Sequence, residues 1–175
     1  AGIAPLLAIY DYLAEGDGGN LIYFPIFNYN EGNLDVVAQM LKHPRALLGL
    51  SDAGAHVGTI CDASFSTFML THWVKNGHLA LEQAVHMLTQ RNAHYLGLQD
   101  RGRIAVGQRA DLNLIDPNTL HLPKPHILRD LPAGGRRLLQ TADGYLRTWV
   151  AGQCVQQDGV VTAARPGRLV RMGQS

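Results

Sequence analysis

Apolar residues recur at helical or strand spacing through the first hundred positions, and glycine or proline breaks the pattern at regular intervals. Pro5 suits the first position of a helix, with Leu6, Ile9, Tyr10 and Leu13 following on one face. Gly16 and Gly18-Gly19 end that helix. Leu21-Ile22-Tyr23-Phe24, stopped by Pro25, predicts a short buried strand. Asn33 is placed to cap a second helix whose Leu34, Val37, Ala38 and Leu41 share a face. His43-Pro44 closes it, because the residue before proline is pushed out of the helical region. Ala46 to Leu50 then predicts a second buried strand. Two more helical stripes follow. Phe65, Phe68, Met69 and Trp73 form one, closed by Asn76-Gly77; Leu81, Ala84, Val85 and Leu88 form the other, continuing through Ala93 and Leu96 to Gly97. Aromatic and methionine stripes at this spacing read as core rather than as a cofactor site.

Strand, helix, strand with unbroken apolar strands is the pattern of an α/β fold whose parallel sheet is covered on both faces. Chemistry in such sheets collects beyond the carboxyl ends of the strands. Asn28-Tyr29-Asn30-Glu31 holds that place after the first strand, and Ser51-Asp52-Ala53-Gly54-Ala55-His56 after the second. From Arg101 the pattern changes to short strands and turns. Ile104 to Val106, Leu112 to Ile115, Tyr145 to Val150, Cys154-Val155 and Val160-Val161 predict an antiparallel meander, with Ala151-Gly152 and Asp158-Gly159 at its turns. Residues 117–136, rich in proline and ending in Gly134-Gly135, predict a loop. The predicted division is therefore an α/β part over 1–100 and a β part over 101–175.

Composition narrows the class. Of 175 residues, 46% are hydrophobic and 17% charged, against about 25% charged in an average domain. Disorder, collagen and coiled coil are excluded. Fifteen basic and fourteen acidic residues give a net charge of +1, so no strong field draws in nucleic acid or an anionic membrane. Cys61 and Cys154 make no disulfide framework and no C-x-x-C pair, which points to a reducing compartment such as the cytoplasm. The apolar stretch from Ile3 to Leu13 carries Asp11, lacks a basic leader and is too short to span a membrane. With no methionine at Ala1, the chain reads as entered partway through.

Asp52 is the first candidate for chemistry. A carboxylate on a turn of small residues at a strand's end can reach a ligand, and can bind a metal ion or act as a general base. The same pattern equally suits Ser51 or Asp52 as the cap of a following helix. His56, four residues on, faces the same site or simply packs there. Cys61 reads as a small buried residue. The remaining histidines show no H-x-H or H-E-x-x-H spacing, and P-loop, G-x-G-x-x-G and G-x-S-x-G motifs are absent. Arg136-Arg137 reads as a solvated face.

At Gly49-Leu50-Ser51-Asp52-Ala53-Gly54-Ala55-His56 the sequence resembles the metal-dependent amidohydrolases, and within them the N-acyl-D-amino-acid deacylase (D-aminoacylase) branch. The likeness continues through Ile60-Cys61-Asp62, His72-Trp73, Leu81-Glu82-Gln83-Ala84-Val85, Leu88-Thr89 and Gly97-Leu98-Gln99-Asp100-Arg101-Gly102. Val106-Gly107-Gln108-Arg109-Ala110-Asp111-Leu112 and Asp130-Leu131-Pro132-Ala133-Gly134 complete the series. G-x-x-A-D-L alone is common among amidohydrolases; the ordered series is far more specific. One departure is Gln90-Arg91-Asn92, where relatives carry a proline before the alanine, and only a local effect is expected of it.

The resemblance implies the C-terminal portion of a (β/α)8 barrel followed by an antiparallel segment of an accessory β-sandwich. Leu21 to Phe24 and Ala46 to Leu50 would be barrel strands seven and eight. Asp52 would sit at a centre of zinc or another divalent metal, take a proton from water and return it to the departing amine. Ser51, His56 and Asn28 would lie around the substrate. The H-x-H and the other ligands of the family would precede Ala1, so these residues alone are expected to be inactive. The implied substrate is a small N-acyl amino acid. The implied partner is the N-terminal part of the same enzyme, with self-association as a further way to cover an open barrel edge. Two other readings stand beside this one: a cyclic amidohydrolase of the dihydroorotase or hydantoinase kind, and a non-catalytic module that keeps the fold for assembly.

Overall fold

The computed structural model describes residues 2–53, 58–59 and 62–171; His56 and Cys61 lie outside the described residues. Helices come first and strands second. Helix α1, Pro5–Ala14, starts with proline at its first turn, and the Ala4 carbonyl accepts from the Leu7 and Ala8 N–H groups. Its predicted apolar stripe is present but does not join the core: none of its residues is buried, and Leu6 is 80% exposed. Helix α2, Asp35–Lys42, starts where Asn33 Oδ1 accepts the Asp35 N–H at 3.0 Å, and leaves the helical region at His43. Its Leu34, Val37, Ala38 and Leu41 face packs on the core, as the spacing predicts.

That core is small and helical. Helix α3, Phe65–Phe68, runs directly into a π-helix over Met69–Val74, and α4, Leu81–Leu88, crosses it. Met69, Trp73, Leu79, Ala84 and Met87 are buried together, with Trp73 at 5% exposure and Ala84 at 0%. The methionine and aromatic stripe is thus core, as expected. The helix predicted to run unbroken from Leu81 to Gly97 is instead two. At Thr89 the backbone turns to φ −125°, ψ −90°, while its hydroxyl donates to the Val85 carbonyl at 2.6 Å. Helix α5, Gln90–Tyr95, follows.

The two predicted barrel strands are not strands here. Leu21 to Phe24 and Ala46 to Leu50 have no β-partners, and among the described residues there is no parallel pairing. Tyr23 is 86% exposed and Leu50 98%. A strand exists only through lateral hydrogen bonds, and a parallel pair without further strands and covering helices is too weak to form. Part of the missing pairing is supplied by α5. Asn92 Nδ2 donates to the Leu48 carbonyl at 3.2 Å, and the Arg91 guanidinium donates to the His43 and Pro44 carbonyls. These bonds tie α5 to residues more than forty positions earlier in sequence.

The β part is a four-stranded antiparallel sheet in the order β1-β4-β5-β6, from Leu112–Ile115, Tyr145–Val150, Gln153–Gln157 and Val160–Val161. Its hairpins turn at Ala151-Gly152 and Asp158-Gly159, all four residues with positive φ, as tight two-residue hairpins require. Ile104 to Val106 is not a strand; both ends stand exposed before a turn in which Gln108 N–H reaches the Ala105 carbonyl. The region predicted as loop contains a second hairpin, β2 (His126–Leu131) and β3 (Gly135–Leu139), joined through Pro132–Gly134. Its prolines flank the strands rather than interrupt them. The helical and β parts touch through Ser64 Oγ donating to Gln140 Oε1 at 2.7 Å and Thr67 Oγ1 against the Tyr145 hydroxyl at 2.9 Å.

The accessible surface is 13136 Å². A compact monomer of 19.1 kDa exposes only about 8,400 Å². The excess concentrates on apolar groups: Leu6, Tyr10, Tyr23, Phe24, Phe27 and Leu50 all stand in solvent.

Candidate functional site

Ser51 and Asp52 follow the Ala46 to Leu50 segment in an extended conformation and enter a turn at Ala53. Ser51 Oγ accepts the Ala53 N–H at 3.3 Å, so its hydroxyl closes a local turn. Neither residue caps a helix among the described residues, since the next helix there starts at Phe65. The Asp52 side chain is exposed and makes no hydrogen bond among the described residues. Asn28 sits in a bend with φ 60°, also exposed, and no hydrogen bond joins it to Ser51 or Asp52. His56, the fourth candidate, lies outside the described residues.

A metal ion needs more than this. Among the described residues no group of three or more His, Cys, Asp or Glu side chains converges, whereas a catalytic zinc takes three protein ligands and an open position. The described donor set does not by itself fit such an ion. Asp52 has the exposure to be one ligand, but not the company.

Several charged residues of the other resemblance segments form structural ion pairs. Asp111 accepts from Arg109 Nε at 2.9 Å and from the Ala151 N–H at 2.8 Å, and lies 3.6 Å from Arg101 Nη1. It thereby ties the start of β1 to the β4–β5 turn. The Asp100 pKa is lowered, chiefly by the Arg101 guanidinium that donates to it at 2.8 Å. Asp130 and Arg137 form a two-pronged pair across the β2–β3 hairpin at 2.8 and 2.7 Å, and Arg137 lowers the Asp130 pKa. Arg137 is therefore committed to an ion pair, not part of a free solvated face.

One cluster had no forecast role beyond packing. His72, on the π-helix, stacks on Phe68 at 4.6 Å and on His78 at 6.2 Å, with Trp73 edge-on at 4.9 Å. Burial, and then the neighbouring His78, push the His72 pKa below its ordinary value. The six-residue separation of the two histidines gave no helical signal, because His78 lies past the end of the helix that carries His72.

A family model described as "Amidohydrolase family" matches residues 9–156. The chain belongs to the amidohydrolase family. An N-acyl-D-aspartate deacylase of Alcaligenes xylosoxydans is 25% identical over 179 aligned residues, covering 100% of this chain and 30% of that protein. An uncharacterized protein of Mycobacterium tuberculosis is 30% identical over 125 residues, 68% of this chain and 20% of its own length. A dihydroorotase of a Geobacillus species is 28% identical over 135 residues, 74% of this chain and 30% of its own. The chain thus spans 20% to 30% of the lengths of these relatives. No solved structure matches it.

Proposed function

We propose that this amidohydrolase chain is the C-terminal portion of a metal-dependent hydrolase that cleaves the amide bond of N-acyl amino acids, most naturally N-acyl-D-amino acids. One observation carries the choice of substrate: the alignment with the N-acyl-D-aspartate deacylase runs the whole length of the chain, including the Asp130 to Gly134 segment. Asp52 is the catalytic carboxylate in this reading. An exposed carboxylate on a turn of small residues accepts a proton as water attacks the amide carbonyl, and delivers it to the departing amine as the carbon–nitrogen bond breaks. Ser51, Asn28 and His56 are the residues assigned to the substrate in this reading. Zinc or another divalent metal is the cofactor, with most of its ligands contributed from outside these 175 residues.

The apolar surface around Tyr23, Phe24, Phe27 and Leu50 is covered, on this reading, by the remaining barrel strands of the same enzyme. The relatives, each more than twice as long as this chain, supply the precedent for such a portion. The accessory β-sandwich takes residues from 101 onward, and the protein works in the cytoplasm on a small molecule.

The dihydroorotase match favours a second reading, a cyclic amidohydrolase that opens a ring amide with the same carboxylate. A substrate panel separates the two. The longer polypeptide, loaded with zinc, should release free amino acid from N-acetyl-D-aspartate and leave dihydroorotate and hydantoin intact. Ring opening with no deacylation would assign the cyclic reading, and no turnover of any amide would favour the assembly module.

A further inference from the structure

A cleft lined by arginines lies away from Asp52, at the end of the four-stranded sheet. It holds about 470 Å³ between the β4–β5 turn and the segment after β6. Arg109, Arg165, Arg168 and Gln153 line it together with Gly167, and no Asp or Glu does. In a chain whose net charge is only +1, three guanidinium groups around one cleft are a local concentration of charge.

Two of the three are held in place, Arg109 by a carboxylate that offsets its charge and Arg165 by neutral groups. Arg109 is fixed by Asp111, whose two oxygens accept from its Nε at 2.9 and 3.0 Å; its terminal nitrogens are left over. Arg165 is anchored by backbone: its Nη1 donates to the Thr162 and Ala164 carbonyls at 2.6 and 2.7 Å. Carbonyls orient a guanidinium but do not cancel its charge. Arg165 and Arg168 form no ion pair among the described residues. With Asp111 offsetting Arg109, the cleft carries two uncompensated positive charges, and the Gln153 amide adds a neutral donor.

We propose that this cleft binds a phosphate group, free or carried on a small molecule. A phosphate dianion matches the two uncompensated charges, and its oxygens suit forked guanidinium donors. Nucleic acid fits less well, since no aromatic side chain lines the cleft to stack a base. The site is independent of the amide chemistry at Asp52 and stands whether or not that reading holds.

The test is titration of the full chain with inorganic phosphate at constant ionic strength, followed by calorimetry and by the arginine Nε–H resonances. Saturable binding with a Kd of roughly 0.1–10 mM is expected, with Arg165 and Arg168 resonances shifting. Arg168→Gln and Arg165→Gln should each weaken it by about tenfold or more, while Arg129→Gln, outside the cleft, leaves it unchanged. Glycerol phosphate in parallel identifies the form taken: equal affinity assigns the free anion, tighter binding assigns the ester. Arg165→Gln can disturb the backbone it anchors, so Arg168→Gln, an exposed side chain, decides. Phosphate binding no tighter than chloride, or unchanged in Arg168→Gln, overturns the proposal.

Discussion

Gly144→Ala should cost far more stability than Gly107→Ala, although both glycines hold left-handed backbone, at φ +89° and +84°. That conformation alone costs an L-residue roughly 1–2 kcal/mol. At Gly107 nothing lies within 4 Å of an added Cβ, so that cost is the whole effect. At Gly144 the Cβ would stand 2.6 Å from Leu120 Cα and 2.7 Å from Leu120 N. Those are backbone atoms, which cannot swing aside as a side-chain tip does. Forcing them apart adds an overpacking cost of about 1–3 kcal/mol. It also pulls at the Asp116 N–H bond to the Gly144 carbonyl, 2.9 Å long, and at the bridge between His121 and Asp143. The expected losses are therefore about 1–2 kcal/mol for Gly107→Ala and about 2–5 kcal/mol for Gly144→Ala. Urea unfolding followed by tryptophan fluorescence measures both, with Trp149 on β4 reporting the affected sheet. Equal midpoints for the two variants would show that Leu120 does not press against Gly144 and would refute the packing of residues 116–121 on β4.

Other outcomes follow from the same contacts. Trp73→Ala, emptying the centre of the helical core, should destabilise by about 3–5 kcal/mol in chemical unfolding. Asn92→Ala removes the donor to the Leu48 carbonyl and should cost about 1 kcal/mol, with faster amide exchange in residues 46–50 as the local readout. The depressed His72 pKa favours the neutral ring in the fold, so its stabilising contribution is complete above pH ~6.5 and is lost as the pH falls through the folded value. Unfolding midpoints at pH 7 and below should show this loss, and His78→Gln should reduce it without abolishing it, since burial is the larger cause.

The sequence was most legible where local signals decide structure. The helix start at Pro5, the apolar face of α2, the Met69 and Trp73 core and the turns at Ala151-Gly152 and Asp158-Gly159 all appear as the residues predict, whereas Leu34 rather than Asn33 holds the cap position of α2. The failures have physical causes. Leu21 to Phe24 and Ala46 to Leu50 have the composition of strands, but composition cannot provide the neighbours that make a strand. The β2–β3 hairpin was hidden because Pro125 and Pro132 read as breakers, whereas they flank β2, with Pro132 opening the turn into β3. The kink at Thr89 carries no periodicity signal at all. Of the site, Ser51 closes a local turn with Ala53 and Asp52 is exposed, while Gly54 to His56 lie outside the described residues; the Asp111 and Asp130 ion pairs, within a connecting loop or across a hairpin, were beyond spacing rules.

The role given to Asp52 is tested most directly by the turnover of N-acetyl-D-aspartate in the longer polypeptide and in its Asp52→Asn variant. The carboxamide keeps the shape and cannot carry the proton. A fall in kcat of about 10²–10⁴-fold is expected, with an unchanged unfolding midpoint. Turnover within a few-fold of the unsubstituted enzyme would contradict Asp52 as the catalytic carboxylate.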